Sequence, residues 1–155
     1  MTTAQDLLRD AGLRRTEARI RVLGLVRDLG HPLTHAELTA REELADLDAI
    51  TLYRTLATLE DAGLVHRVLG VDGAWRTCAQ PEGSGGCPGN HAHFQCTGCG
   101  RMRCLVNQPM PRVVPPQGAT IQSRHFVAVG RCAACAALAD AAPLDVAPLE
   151  VKDRP

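Results

Sequence analysis

The sequence predicts an α+β chain of two unequal domains, on three observations. Helical hydrophobic periodicity dominates residues 16–63. Two short extended runs flank Asp72-Gly73, a strong tight-turn pair. All seven cysteines lie at or beyond Cys78, which divides the chain into a cysteine-free first half and a cysteine-rich second half.

The first helix is expected over Thr16 to Leu29, where Ala18, Val22, Leu25, Val26 and Leu29 recur at helical spacing, with Thr16 as cap and Gly30 as terminator. A second is expected over His35 to Ala45, introduced by Pro32 and Thr34. A third starts after Asp48, turns Ile50, Leu52, Leu56 and Leu59 inward, and closes at Gly63. Its other face then shows Thr51, Arg54, Thr55 and Thr58. Leu64 to Leu69 and Ala74 to Cys78 read as a hairpin. Three helices followed by a two-stranded wing is the order of a winged helix-turn-helix, here residues 1–79, whose third helix would enter a DNA major groove. A merely solvated helix face is the competing reading of the same polar pattern.

Pro81 to Asn90 is too rich in glycine and proline for regular structure, so residues 80–90 read as a linker. His91 to Cys96, Met102 to Val106 and His125 to Gly130 look like strands of a second domain over residues 91–138, and residues 139–155 like a flexible tail.

With 155 residues, 45% of them hydrophobic, the chain can build a core, and its formal net charge of zero gives no sign of a polyanion partner. DNA binding must therefore be argued locally. No stretch has the length and apolarity of a membrane span, and Met1 to Asp10 lacks the layout of a signal peptide, so a cytoplasmic location is expected. Reducing conditions there disfavour disulfides and point the cysteines toward metal.

Cys96-Thr-Gly-Cys99 and Cys132-Ala-Ala-Cys135 are two C-x-x-C pairs with 32 residues between them. Each can give two thiolates to one tetrahedral zinc, and a closed four-sulfur site leaves no position for water or substrate, so this zinc is expected to be structural. A redox dithiol would account for only one pair. His91 and His93, alternating on a strand, project to one side while Cys96 projects to the other, so two metal sites can share the strand. Candidate partners for the two imidazoles are Cys78, Cys104 and His66. That nitrogen and sulfur set favours zinc over iron(II) or manganese. Singly, Cys78 or Cys104 reads equally as a small buried hydrophobe and His66 as a wing residue. Cys87 is expected to be unliganded, and His31, His35 and His125 stay unranked extras.

Five motifs in order resemble the ferric uptake regulator superfamily, and within it the zinc uptake regulators. They are Leu13-Arg-Arg-Thr-Glu-Ala-Arg19, Thr51-Leu-Tyr-Arg-Thr-Leu56, Leu59-Glu-Asp-Ala-Gly-Leu-Val65, His91-Ala-His-Phe-Gln-Cys-Thr-Gly-Cys-Gly100 and Gly130-Arg-Cys-Ala-Ala-Cys135. The resemblance covers residues 7–137 and implies a winged-helix domain joined to an α/β dimerisation domain, repression of metal-uptake genes, and a regulatory metal at the hinge. By position it makes Cys96, Cys99, Cys132 and Cys135 structural zinc ligands and His91, His93 and Cys78 regulatory ligands. Cys104 falls where relatives often carry a glutamate, and His66 where some zinc sensors carry a histidine. Tyr53 and Arg54 match residues expected to meet bases and backbone; Arg15 and Arg19 match phosphate contacts.

Two departures stand out. Relatives usually carry a dimerisation helix between the C-x-x-C pairs, whereas Gln108 to Gln117 holds Pro109, Pro111, Pro115 and Pro116, so that helix is expected to be short, broken or absent. His125 is one residue out of register with a peripheral ligand. The resulting expectation is a zinc-responsive repressor, not an enzyme, binding double-stranded palindromic operator DNA as a homodimer, with no membrane partner and no small-molecule substrate beyond the ion. An iron, manganese or peroxide sensor of the same family, or a zinc-ribbon interaction module without DNA binding, are the alternatives.

Overall fold

Thr3 opens the chain's first helix through a reciprocal capping box. Its hydroxyl accepts the Asp6 N–H at 3.2 Å, while the Asp6 carboxylate accepts the Thr3 N–H at 3.1 Å. This helix, α1 (Ala4–Asp10), buries Leu8 and has no counterpart in the sequence reading, although Thr3-x-x-Asp6 ahead of Leu7-Leu8 was its signal. The computed structural model describes residues 2–79, 91–106, 108, 112–122 and 124–140. The expected linker 80–90 with Cys87, the prolines at 109 and 111, and the tail beyond Asp140 lie outside the described residues.

Helix α2 (Glu17–Leu29) is capped by Thr16, whose hydroxyl accepts the Arg19 N–H, and ends on Gly30 at φ 60°, a left-handed conformation open to glycine. The expected helix over His35 to Ala45 is split in two. Helix α3 (His35–Thr39) stops early, Arg41 takes an extended backbone, and a 3-10 turn covers Glu42–Leu44. Geometry explains the break: six helical residues rotate by roughly 600°, which would turn Leu38 and Leu44 to different faces. The interruption lets both reach the core, where they are 0% and 1% exposed. Arg21 of α2 holds the turn by hydrogen bonds to the Glu43 carbonyl and the Asp46 carboxylate.

Helix α4 (Ala49–Asp61) follows the Asp48 cap, and its inner stripe is Leu52, Thr55, Leu56 and Leu59. Two sequence expectations are corrected here. Ile50, assigned to the core, is 64% exposed; Thr55, assigned to the outer face, is 7% exposed. Ile50 lies two residues, roughly 200°, from Leu52, whereas Thr55 lies three residues beyond it on the same side. Leu8, Val22, Leu23, Val26, Leu38, Leu44, Leu52 and Leu59 form one core among α1, α2, the α3 turn and α4.

The wing is β2 (His66–Leu69) and β3 (Trp75–Cys78), antiparallel, with Gly73 at φ 77° in the turn. A two-residue strand, β1 (Leu33–Thr34), pairs with β3 and makes the sheet three-stranded in the order β1-β3-β2, which the sequence reading did not anticipate. The second sheet is β4 (Ala92–Cys96), β5 (Met102–Leu105) and β6 (Val127–Gly130), in the order β5-β4-β6. Its β4–β5 pair is antiparallel and its β4–β6 pair parallel. Arg112 to Gln117 is not helical, as the prolines require. A further helix, α5 (Ala133–Asp140), follows β6 and was not expected. Among the described residues no helix is long and apolar enough to cross a membrane.

Candidate metal centres and DNA-facing helix

Two cross-strand pairs, one from each sheet, build the first centre. In the wing the register sets His66 opposite Cys78; in the second sheet it sets His93 opposite Cys104. His91, just before β4, joins them by the two-residue period of extended chain. One ligand atom from each of His66, Cys78, His91 and His93 lies within 4.8 Å of all the others. Cys104 adjoins the group, its Sγ 2.9 Å from Cys78 Sγ. Cys78, His93 and His91 are 0%, 2% and 4% exposed, while His66 and Cys104 are half-buried, so the donors converge at a largely buried site.

The chemistry of this centre fits a soft divalent cation. The three imidazoles crowd together, with ring centroids 4.6 to 5.3 Å apart. His93 turns Nε2 to within 3.3 Å of His66 Nε2, and its Nδ1 is buried without a hydrogen-bond partner among the described residues. Buried polar atoms are normally satisfied, and a cation can be held by the unpartnered His93 Nδ1 or by the lone pairs of the facing Nε2 atoms. Hydrogen bonding from Cys78, and then from His91 and His93, holds the Cys104 thiol well below the ordinary thiol range. Thiolate and neutral imidazole are the forms that ligate zinc.

The second centre is Cys96, Cys99, Cys132 and Cys135, whose sulfurs also lie within 4.8 Å of one another. Parallel pairing of β4 and β6 is what assembles it. Cys96 is in register with Gly130, so both strands end at the same edge of the sheet and the C-x-x-C segments that follow them, one a turn and the other the start of α5, lie side by side. The Thr97 N–H donates to the Gly130 carbonyl at 2.7 Å, and the Cys132 N–H donates to Cys96 Sγ at 3.2 Å. Gly98 is required by space: a Cβ there would stand 2.9 Å from Cys135 Cβ and 3.0 Å from its Sγ. Backbone N–H groups, first that of Cys132, pull the Cys96 thiol down, while hydrogen bonding with Cys132 pushes the Cys135 thiol up. Four adjacent thiols cannot all ionise without a cation to gather their charge; a tetrahedral zinc fits them.

Of the unranked histidines none joins either centre. His31 Nδ1 is 2.7 Å from the Leu29 carbonyl, His35 belongs to α3, and His125 sets its ring edge-on to Trp75 at 5.4 Å. On α4, Tyr53 is 61% exposed and Arg54 is exposed beside it. Thr51 donates its hydroxyl to the Asp48 carboxylate at 2.6 Å, which commits it to the cap. Thr55 is buried and is withdrawn as a DNA-facing residue. Arg15 is exposed, whereas Arg19 is half-buried and donates to the Arg14 carbonyl at 3.0 Å. Ile50, which the sequence reading placed in the core, belongs instead to this exposed face.

A winged-helix domain joined to a small α/β domain with two clusters of metal-ligating side chains defines a class of metal-binding regulator. Residues 10–117 match the model of the ferric uptake regulator family, and the chain belongs to that family of metal-responsive transcriptional regulators. It is similar to the ferric uptake regulation protein 1 of Mycolicibacterium fortuitum, with 36% identity over 100 residues, 61% of this chain and 55% of that protein. It is also similar to the ferric uptake regulation protein of Legionella pneumophila, with 30% identity over 122 residues, 77% of this chain and 83% of that one. Among solved structures, holo XcZur superimposes with a TM-score of 0.60 at 28% identity, over 86% of this chain and 94% of that chain. A zinc-bound manganese uptake regulator shares the fold with a TM-score of 0.55 at 23% identity, over 82% and 98% of the two chains.

Proposed function

We propose that the chain is a zinc-responsive repressor of metal-uptake genes, which binds palindromic operator DNA as a metal-loaded homodimer in the cytoplasm and catalyses no reaction. The observation that carries the zinc assignment is the donor set of the hinge centre among the described residues: His66, Cys78, His91 and His93 with Cys104 adjoining, all nitrogen or sulfur. Iron(II) and manganese favour harder oxygen donors. The likeness to holo XcZur supports the same reading. In this reading Cys96, Cys99, Cys132 and Cys135 hold a permanent zinc that stabilises the second domain, and the hinge donors hold the ion that is sensed.

The hinge donors come from both sheets, so they converge only when the wing lies against β4 and β5. Ion binding therefore favours that arrangement by its differential affinity for the closed form, typically a few kcal/mol. In a dimer this fixes the spacing of the two α4 helices for a two-fold operator. Tyr53 and Arg54 then meet the major groove, Arg15 and Arg19 meet phosphates, and Thr51 acts through the cap that orders the helix start.

The test is metal stoichiometry on purified protein combined with operator binding at defined free zinc, iron(II) and manganese. Two zinc ions per protomer, with only the weaker one gating DNA affinity, is the expected result. The two curated relatives are ferric uptake regulation proteins. A chain whose DNA affinity answers to iron(II) or manganese and not to zinc is a sensor of their kind, and the zinc assignment fails.

A further inference from the structure

We propose that Gln95 is the positioning residue that couples the hinge centre to the wing, by forming a hydrogen bond that exists only in the closed arrangement. The proposal rests on the metal-responsive reading above and adds to it a wing-tip contact that sets how much zinc closure requires.

Gln95 alternates on β4 with His91 and His93, so all three side chains leave the strand toward the wing. It is 2% exposed, a rare state for a glutamine, and its amide oxygen accepts the Val71 N–H of the wing turn at 2.8 Å. The surroundings are built for this contact. A Cβ on Gly70 would stand 2.8 Å from Gln95 Oε1, 2.5 Å from Asp72 Oδ1 and 2.2 Å from Arg76 Nη1, so glycine leaves these three side-chain ends in place around the turn. Arg76, 6% exposed, grips Asp72 at 2.9 and 2.6 Å and extends Nη2 to the Gly100 carbonyl at 3.4 Å. The wing tip is thus stiffened from within and touches the second domain at Gln95 and beside the four-cysteine centre.

Because β4 is a short, paired strand, His93 and Gln95 move together. Withdrawing the wing from the hinge donors must also break the Gln95–Val71 bond and return both groups to water. The bond therefore weights the closed state whether or not an ion is bound. A buried hydrogen bond has a net value of about 1 kcal/mol, which corresponds to roughly fivefold in an equilibrium constant. Where the closed form is the minor one in metal-free protein, the apparent zinc affinity changes by the same factor.

The experiment compares wild type with Gln95→Met, which keeps length and burial but removes the acceptor, and with Gln95→Glu, which keeps an acceptor oxygen. Operator binding is measured against free zinc, and the hinge donor set is read from the absorption of the cobalt(II)-loaded protein. Gln95→Met is expected to raise the zinc concentration for half-maximal DNA binding about fivefold, with unchanged DNA affinity at saturating zinc and an unchanged cobalt spectrum. Gln95→Glu is expected to recover part of the shift. A purely structural role would instead lower the DNA-binding ceiling or alter the spectrum. Should Gln95→Met not fold, Gln95→Leu removes the same acceptor and is expected to shift the midpoint in the same direction. An unshifted midpoint in the folded variant, beside a zinc-responsive wild type, overturns the coupling role alone. A wild type indifferent to zinc, iron(II) and manganese overturns the regulatory reading and the coupling role with it.

Discussion

His66 and His93 belong to different sheets and stand 27 residues apart in the chain, yet their Nε2 atoms are 3.3 Å from each other. That closeness joins the two domains at the level of single atoms. His66 is held in place by pairing with Cys78 in the wing, and His93 by pairing with Cys104 in the second sheet. A ligand that satisfies both imidazoles must therefore sense the relative position of the two sheets, which is what a hinge sensor needs.

Removing a sulfur from this hinge should weaken it without unfolding the chain. Even a partner one step removed from a metal ligand is worth about 10- to 100-fold in affinity, so Cys78→Ser is expected to lose at least tenfold in hinge zinc affinity. The four-cysteine zinc should stay in place. Competition with a chromogenic chelator reads both; simultaneous loss of both ions would show that the centres are not independent.

Gly98→Ala should act on the other centre. The added methyl meets Cys135 Cβ and Sγ at about 3 Å, and Cys135 is held at the start of α5. The expected outcome is faster release of the structural zinc to chelator and a lower melting temperature, with the hinge affinity changed less. A variant that releases zinc at the wild-type rate would show that the α5 end moves freely.

On α4 a core residue and an exposed residue separate stability from recognition. Leu59→Ala, in the core, is expected to cost about 2–5 kcal/mol in unfolding free energy. Ile50→Ala should change stability by less than about 0.5 kcal/mol, as exposed substitutions do, while weakening operator binding. Chemical denaturation and a DNA titration on the same samples check this. A large loss of stability in Ile50→Ala would return that side chain to the core.

The wing should carry an acid-sensitive element. The Arg76 guanidinium, together with the Ala74 N–H, holds the Asp72 carboxyl far below its ordinary value of 3.8. A lowered folded value means that the charged form stabilises the fold. This contribution is complete above pH 3.8 and disappears as pH falls through the lowered value. In metal-free protein, Asp72→Asn should therefore be less stable than wild type at neutral pH, and the gap should narrow as pH falls below 3.8 toward 2. Parallel curves for the two proteins would show that the pair contributes nothing to folding.

Local sequence signals located most elements because their causes are local. Thr16 with Gly30 and Asp48 with Gly63 bracket helices by backbone capping, and Asp72-Gly73 makes the wing turn by glycine's positive φ. The C-x-x-C spacing marks both halves of the four-sulfur centre, and the His91-x-His93 alternation marks the hinge. The errors fall where a neighbouring element decides. The helix expected over residues 35–45 breaks because both Leu38 and Leu44 are drawn to one core, and Thr55 faces inward because it lies on the side of α4 that carries Leu52 and Leu59.

By itself, then, the sequence determined the two domains, the wing, the four cysteines of one centre and the histidine pair of the other, since capping, turn chemistry and ligand spacing act over a few residues. Tertiary structure alone decided that β6 runs parallel to β4 and so brings the C-x-x-C segments to one edge. It alone decided that β1 extends the wing sheet and that Gln95 reaches Val71. These are contacts between segments that are distant in the chain. Their free energy comes from the simultaneous burial of both partners, a quantity that exists only once the two sheets have met.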